Sequence, residues 1–162
     1  MTKKAQFCPL SVELLGIYTF TPMSIEEKDK SILERFQGDD SWEDRYARII
    51  KTGKDYDGLS ESEKNEDLLV KGCQSQVWIK ADLSPEKTIL FQADSDAMIV
   101  KGLVALLVEL FSGEKPSTVS NYKPQFIEQL GLGNHLSPSR ANGLNSMMKQ
   151  MKFYAVAYSA LE

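Results

Sequence analysis

The segment that most limits the fold is Ala97 to Phe111, which is apolar almost all the way round a helix and is interrupted only by Lys101 and Glu109. A helix without a polar face must be enclosed by other elements, so this one is predicted to be the central core helix of a domain. It is too short and too charged to cross a membrane. Its enclosure must come from the rest of 162 residues, a length that suits one compact domain with a core needing neither disulfides nor metal.

The flanking patterns indicate what encloses it. Ser24-Ile25-Glu26-Glu27 is a capping box, and the helix it opens places Ile25, Ile32, Leu33 and Phe36 on one face before Gly38 closes it. A second helix is predicted from Ser41, with Trp42, Tyr46, Ile49 and Ile50 at helical spacing and Gly53 as its end. Ser60 and Glu63 repeat the capping-box pattern on a short acidic stretch. Leu68-Leu69-Val70 and Gln76 to Ala81 are strand candidates, Asp82 to Lys87 reads as a hairpin loop, and Thr88 to Gln92 as the returning strand. Asp94-Ser95-Asp96 supplies N-cap candidates for the core helix, and Ser112-Gly113 stops it. Towards the C-terminus, Pro124 begins a helix that turns Phe126, Ile127 and Leu130 inward and ends at Gly131. Ser137-Pro138 starts the last helix, with an apolar stripe of Leu144, Met147, Met148, Met151, Ala155 and Tyr158. Helices, then a small antiparallel sheet, then helices: the order predicts an α+β fold.

Charge and cysteine usage narrow the function. The net charge of −4, from 19 basic and 23 acidic side chains with no Lys/Arg-rich run, speaks against nucleic acid or a membrane surface as partner. The two cysteines, Cys8 and Cys73, lie far apart and fit a reducing cytoplasm rather than a disulfide framework. With His135 as the single histidine and no Cys-x-x-Cys, no metal site built by one chain is expected. Before Met23, Phe7 to Phe20 resembles a signal peptide only faintly, because Pro9, Ser11 and Glu13 break it; residues 1–22 are expected to be an extension to a domain spanning 23–162.

Cys73 follows Gly72 in the connection between two strand candidates, where a rigid sheet can present a side chain. A thiol works as its thiolate, which Lys71, Arg140 or a nearby helix N-terminus would favour. One thiol cannot carry out internal dithiol exchange, but it can attack a sulfur on another protein and keep it. Composition alone favours the plainer reading, a small buried apolar residue.

The surrounding residues change that balance. Gly72-Cys73-Gln74-Ser75-Gln76-Val77-Trp78 resembles the signature of the SufE family, the sulfur acceptors of cysteine desulfurases. Asp94-Ser95-Asp96-Ala97 with Ile99-Val100-Lys101-Gly102-Leu103 is similar to a second block of that family. His135-Leu136-Ser137-Pro138-Ser139-Arg140 with Gly143-Leu144 is similar to a third, and the order is the family's. Ala93 and Ser137 depart from it, standing where glycine and threonine are common. The resemblance implies a SufE/IscU-like fold, a small antiparallel sheet packed on N- and C-terminal helices. It implies that Cys73 takes sulfur from a SufS-type desulfurase, stimulates it, and passes the sulfur to a SufBCD-type complex for iron–sulfur cluster assembly. This chain would bind no cofactor; the pyridoxal phosphate belongs to the desulfurase. A CsdE-like carrier serving another pathway shares these motifs. Different readings are a metal- or cluster-binding scaffold, which the single core cysteine disfavours, and a redox or hydrolytic cysteine enzyme, which needs a base at the thiol.

The supporting residues each have two readings. Arg140 either holds a charged partner group or biases the thiolate, or else is a surface cation near a helix start or an ion-pair partner of Asp94 or Asp96. Asp96 either caps its helix or acts at the site. Gln76 either supports the Cys73 loop or faces solvent. His135 is expected to be structural, Trp78 to lie in the core, and Cys8 to have no role.

Overall fold

The computed structural model describes residues 22–162; Cys8, the Phe7–Phe20 stretch and all but the last residue of the 1–22 extension lie outside the described residues. The helix α1 (Ile25–Glu34) opens on the expected capping box: the Glu27 amide donates to Ser24 Oγ at 3.2 Å and the Ser24 amide to Glu27 Oε2 at 2.7 Å. It buries Ile25 and Ile32, and Phe36 follows in the turn that leads to Gly38. Ser41 caps α2 (Trp42–Asp55).

Gly53 does not end α2, contrary to the sequence expectation; it lies inside the helix against Gly102 of α3 (Met98–Phe111). A Cβ on Gly53 would fall 2.7 Å from the Gly102 nitrogen, and a Cβ on Gly102 would overlap the Ile49 carbonyl. Two glycines thus let two backbones approach to near contact, a use of glycine that helix-end patterns do not reveal. The helix α3 is the predicted core helix, with eleven of its residues buried, from Ile99 to Phe111.

Two short 3-10 turns, Glu61–Glu63 and Glu66–Leu68, lead to the hairpin of β1 (Val77–Leu83) and β2 (Ile89–Ser95). The strands pair antiparallel, with Val77 opposite Ser95 and Leu83 opposite Ile89. The first strand candidate, Leu68 to Val70, amounts to one bridge between Leu69 and Trp78, joined by a bond from the Val70 amide to the Val77 carbonyl. The returning strand runs three residues past Gln92. Asp94 and Ser95 therefore belong to the sheet, and Ala97 is the N-cap of α3, with no side-chain capping bond of its own.

A two-stranded sheet is marginal alone, and its open edges invite further strands. Here both edges are covered. On the outer side of β1, Tyr154 Oη donates to the Ile79 carbonyl and Tyr158 Oη to the Ala81 carbonyl. On the outer side of β2, the Phe91 amide donates to Ser112 Oγ and the Ala93 amide to Tyr56 Oη. The two tyrosines on the β1 side come from α7 (Pro138–Ser159), whose apolar stripe buries Leu144, Met147, Met151 and Ala155 as predicted.

Between α3 and α7 lie α4 (Pro116–Asn121), α5 (Gln125–Gln129) and α6 (Leu132–His135). All three are too short to show a periodicity, and the sequence indicated only the middle one, through Pro124 before it and Gly131 after it. Pro124 is its N-cap rather than its first residue. The start of α5 is held from α1: buried Asp29 accepts from the Gln125 amide at 2.6 Å, the Phe126 amide at 2.9 Å and the Tyr122 hydroxyl at 2.9 Å. Among the described residues no helix is long and apolar enough to cross a membrane.

Candidate functional site

Cys73 sits in the loop between the Leu69–Trp78 bridge and the start of β1, where the hairpin meets the N-terminal part of α7. Gly72 makes the turn. Its φ of +89° is open to glycine and strained for other residues, and a Cβ there would stand 3.0 Å from Ser146 Oγ of α7. The next residue then lies against the helix, and its thiol donates to the Gly143 carbonyl across 3.6 Å, a weak bond for a weak donor. Gly143 also leaves room for the sulfur: a Cβ at this position would already touch Sγ at 3.5 Å.

The other end of the loop is clamped at Gln76. Asp96 Oδ1 accepts from the Gln76 amide at 3.0 Å, and the Asp96 amide donates to the Gln76 carbonyl at 3.2 Å. Ser95 Oγ donates to that carbonyl at 2.8 Å and accepts from the Ala97 amide. Asp96 is therefore a loop clamp and not the cap of α3, because β2 runs up to it in the chain and carries its carboxylate towards β1. Gln76 takes part through its backbone, while its side chain is exposed.

Asp94 lies one step further in. Its buried carboxylate accepts from the Ser95 and Leu59 amides, and Lys64 and Lys101 approach it at 3.2 and 3.3 Å. Burial pushes this carboxyl up, but the Ser95 amide and the two ammonium groups outweigh it, so it sits below the usual carboxylate range. Gly58 passes so close that a Cβ would fall 2.6 Å from Asp94 Oδ2. Asp94 thus ties the Leu59–Lys64 segment, the end of β2 and α3 together beneath the Cys73 clamp.

Arg140 pairs with neither aspartate, since Asp94 is taken by the lysines and Asp96 by Gln76. It stands exposed in the first turn of α7, three residues before Gly143 and therefore on the same helix face as the thiol's carbonyl partner. His135 belongs elsewhere: its ring stacks on Trp42 at 4.1 Å and its carbonyl accepts from Tyr46 Oη. Trp78 is only half-buried and is not in the core. Val77 and Ile79 point inward, so alternation turns Trp78 to the outer face, where Lys64 Nζ lies 5.3 Å from the ring centroid.

Burial pushes the Cys73 thiol above its ordinary value, with no cation among the described residues offsetting the effect. Lys71 and Arg140, both plausible activators by sequence, do not lower it. Among the described residues, no three His, Cys, Asp or Glu side chains cluster as metal ligands. A sheltered, protonated thiol at a clamped loop tip is suited to exchange with a group brought to it. The roles of Gly143 and Ser95 escaped the sequence reading although both lie in its motif blocks, because nothing local shows which backbone meets the sulfur.

Hairpin, enclosed helix and cysteine loop together define a SufE-type domain. The chain belongs to the SufE family, the Fe-S metabolism associated domain, whose model matches residues 30–155. It is 42% identical over 127 residues to an uncharacterised SufE-like protein of Synechocystis sp., covering 78% of this chain and 79% of that one. The fold is also that of a hypothetical protein from Thermus thermophilus solved in solution, with a TM-score of 0.66 at 23% identity, covering 82% of this chain and 96% of the other. Membership assigns the chain a sulfur-related role in iron–sulfur metabolism.

Proposed function

We propose that Cys73 accepts one sulfur atom from a SufS-type, pyridoxal phosphate-dependent cysteine desulfurase, holds it as a persulfide, and passes it to a cluster-assembly complex of the SufBCD kind. The observation that carries this reading is the thiol itself: half-buried at a loop tip, protonated by its surroundings, and bonded, among the described residues, only to a backbone carbonyl. The Cys73 thiolate attacks the outer sulfur of the desulfurase persulfide. A new S–S bond forms, the old one breaks, and its electron pair leaves on the desulfurase cysteine. No oxidant is needed. Because burial disfavours the thiolate, the chain is slow to react with small electrophiles alone, and docking supplies the field that deprotonates it. Arg140, exposed on the α7 face that carries Gly143, is a candidate on this chain to meet charge on the partner. The reaction takes place in the cytoplasm, and the chain serves as an accessory carrier that raises the desulfurase's turnover.

The test is intact mass after mixing the chain with a SufS-type desulfurase and cysteine, without reductant. Wild type and Cys8→Ser gain sulfur, and Cys73→Ser does not. Sulfur retained in Cys73→Ser, or none gained by wild type from SufS- and CsdA-type enzymes that both carry persulfide, would refute the proposal. Acceptance from the CsdA-type enzyme alone would assign the chain to the CsdE-like branch.

A further inference from the structure

A groove of about 610 Å³ opens beside the Cys73 loop. One wall carries Glu66, Asp67 and Lys71; the other is the α7 face of Ser146, Lys149 and Phe153. The thiol loop closes one end, since Gly72 lies against Ser146, one turn along α7 from the Gly143 carbonyl that receives the thiol. The four charged side chains are exposed, and the neighbouring ion pairs, Lys64 with Glu61 and Lys80 with Glu63, leave them out. Lys71 is two residues from Cys73; Asp67 and Glu66 stand four and five residues further back along the same wall.

These features describe a ligand. The volume is within the roughly 300–1,000 Å³ of small-molecule sites. From Ser146 to Phe153 is two helical turns, about 10 Å, the length of an extended tripeptide rather than of one amino acid. Two cations, Lys71 and Lys149, and two carboxylates, Glu66 and Asp67, line it, which suits a ligand bearing both charges. We propose that this groove binds a tripeptide-sized zwitterionic thiol, of which glutathione is the probe, and presents its sulfur to the persulfide on Cys73. The inference rests on the carrier reading above. The glutathione thiolate attacks the outer sulfur; that sulfur's bond to Cys73 breaks, its electron pair returns to Cys73 as a thiolate, and glutathione leaves as a persulfide. Sulfur and charge balance without an oxidant. The domain then has a second, partner-free exit for its sulfur.

The experiment loads Cys73 with inorganic polysulfide, removes the excess, and follows loss of one sulfur by intact mass against thiol concentration. This loading needs no desulfurase, so the groove is tested apart from partner binding. Discharge by glutathione is expected to saturate, and discharge by 2-mercaptoethanol to stay linear once thiolate fractions are matched. Lys149→Glu together with Glu66→Lys, both at exposed positions that leave the fold intact by circular dichroism, is expected to raise the glutathione KM about five- to tenfold, as two screened ion pairs would. The 2-mercaptoethanol rate is expected to be unchanged. Added salt raises the wild-type KM and narrows its difference from the double variant. Linear kinetics with glutathione, or a KM indifferent to the double substitution, overturns the groove proposal alone. Slower sulfur acceptance from the desulfurase with unchanged glutathione discharge also overturns it and gives the groove to the partner. If polysulfide loads the buried thiol too slowly, a desulfurase with cysteine loads it and is removed before the thiol is added; if neither source places sulfur on Cys73, the carrier reading fails and the discharge with it.

Discussion

Replacing Asp96 by alanine should loosen the Cys73 loop without unfolding the domain. The carboxylate makes one charge-assisted bond to the loop, to the Gln76 amide at 3.0 Å, at an exposed position. The bonds from the Asp96 amide and from Ser95 Oγ to the Gln76 carbonyl do not need the carboxylate and remain. A single exposed bond of this kind contributes about 1 kcal/mol, so the open loop becomes about fivefold more populated. Alkylation of Cys73 by iodoacetamide is expected to quicken by up to that factor. The pH at which its rate is half-maximal should fall towards the ordinary thiol value, because the upward shift is caused by burial, which opening relieves. Asp96→Asn keeps an acceptor oxygen at the same place and is expected to lie between the two. The measurement is the pseudo-first-order alkylation rate from about pH 6 to 10, with thermal unfolding alongside. If Asp96→Ala lowers thermal stability while rate and pH profile both stay at wild type, the clamp does not govern access to the thiol and the reasoning fails.

Two further outcomes follow from the packing beneath the site. Asp94→Asn leaves the Lys64 and Lys101 ammonium groups facing a neutral amide; both are mostly buried, so a loss of roughly 3 kcal/mol is expected by urea denaturation at neutral pH. Because its folded-state value is depressed, the Asp94 contribution is complete above the unfolded value near ~3.9 and is lost as pH falls through the lower folded value. The gap between wild type and variant should therefore close in acid, and a gap that persists unchanged below pH ~3 would contradict the ion-pair account. Gly102→Ala drives a methyl into the Ile49 carbonyl and must force α2 and α3 apart, at the upper end of overpacking costs, roughly 3 kcal/mol. A loss under about 1 kcal/mol in the same assay would mean that the helices slide apart freely.

Much of this protein is legible where the cause is local. The Ser24–Glu27 capping box involves four consecutive residues, so its bonds could be read before any fold was known. The Leu144–Met147–Met151–Ala155 stripe follows from helical spacing, and the nearly all-apolar α3 could only be enclosed. The cysteine between Gly72 and Gln74 was recognisable by its motif. Whatever depends on a neighbour distant in the chain was not legible. Gly53 looks like a helix end until Gly102 is placed against it. Asp94 to Asp96 look like caps because short polar residues before a helix usually are, yet the strand reaches them and turns their side chains to Lys64, Lys101 and Gln76. Alternation along β1 is visible in sequence, but which face is covered is not, so Trp78 was expected in the core and lies outside it. The same limit applies to the thiol. Sequence determined that a cysteine stands in this loop, and tertiary structure alone decided that burial, rather than Lys71 or Arg140, sets its protonation, because desolvation and Coulomb interactions depend on distance in space and not along the chain.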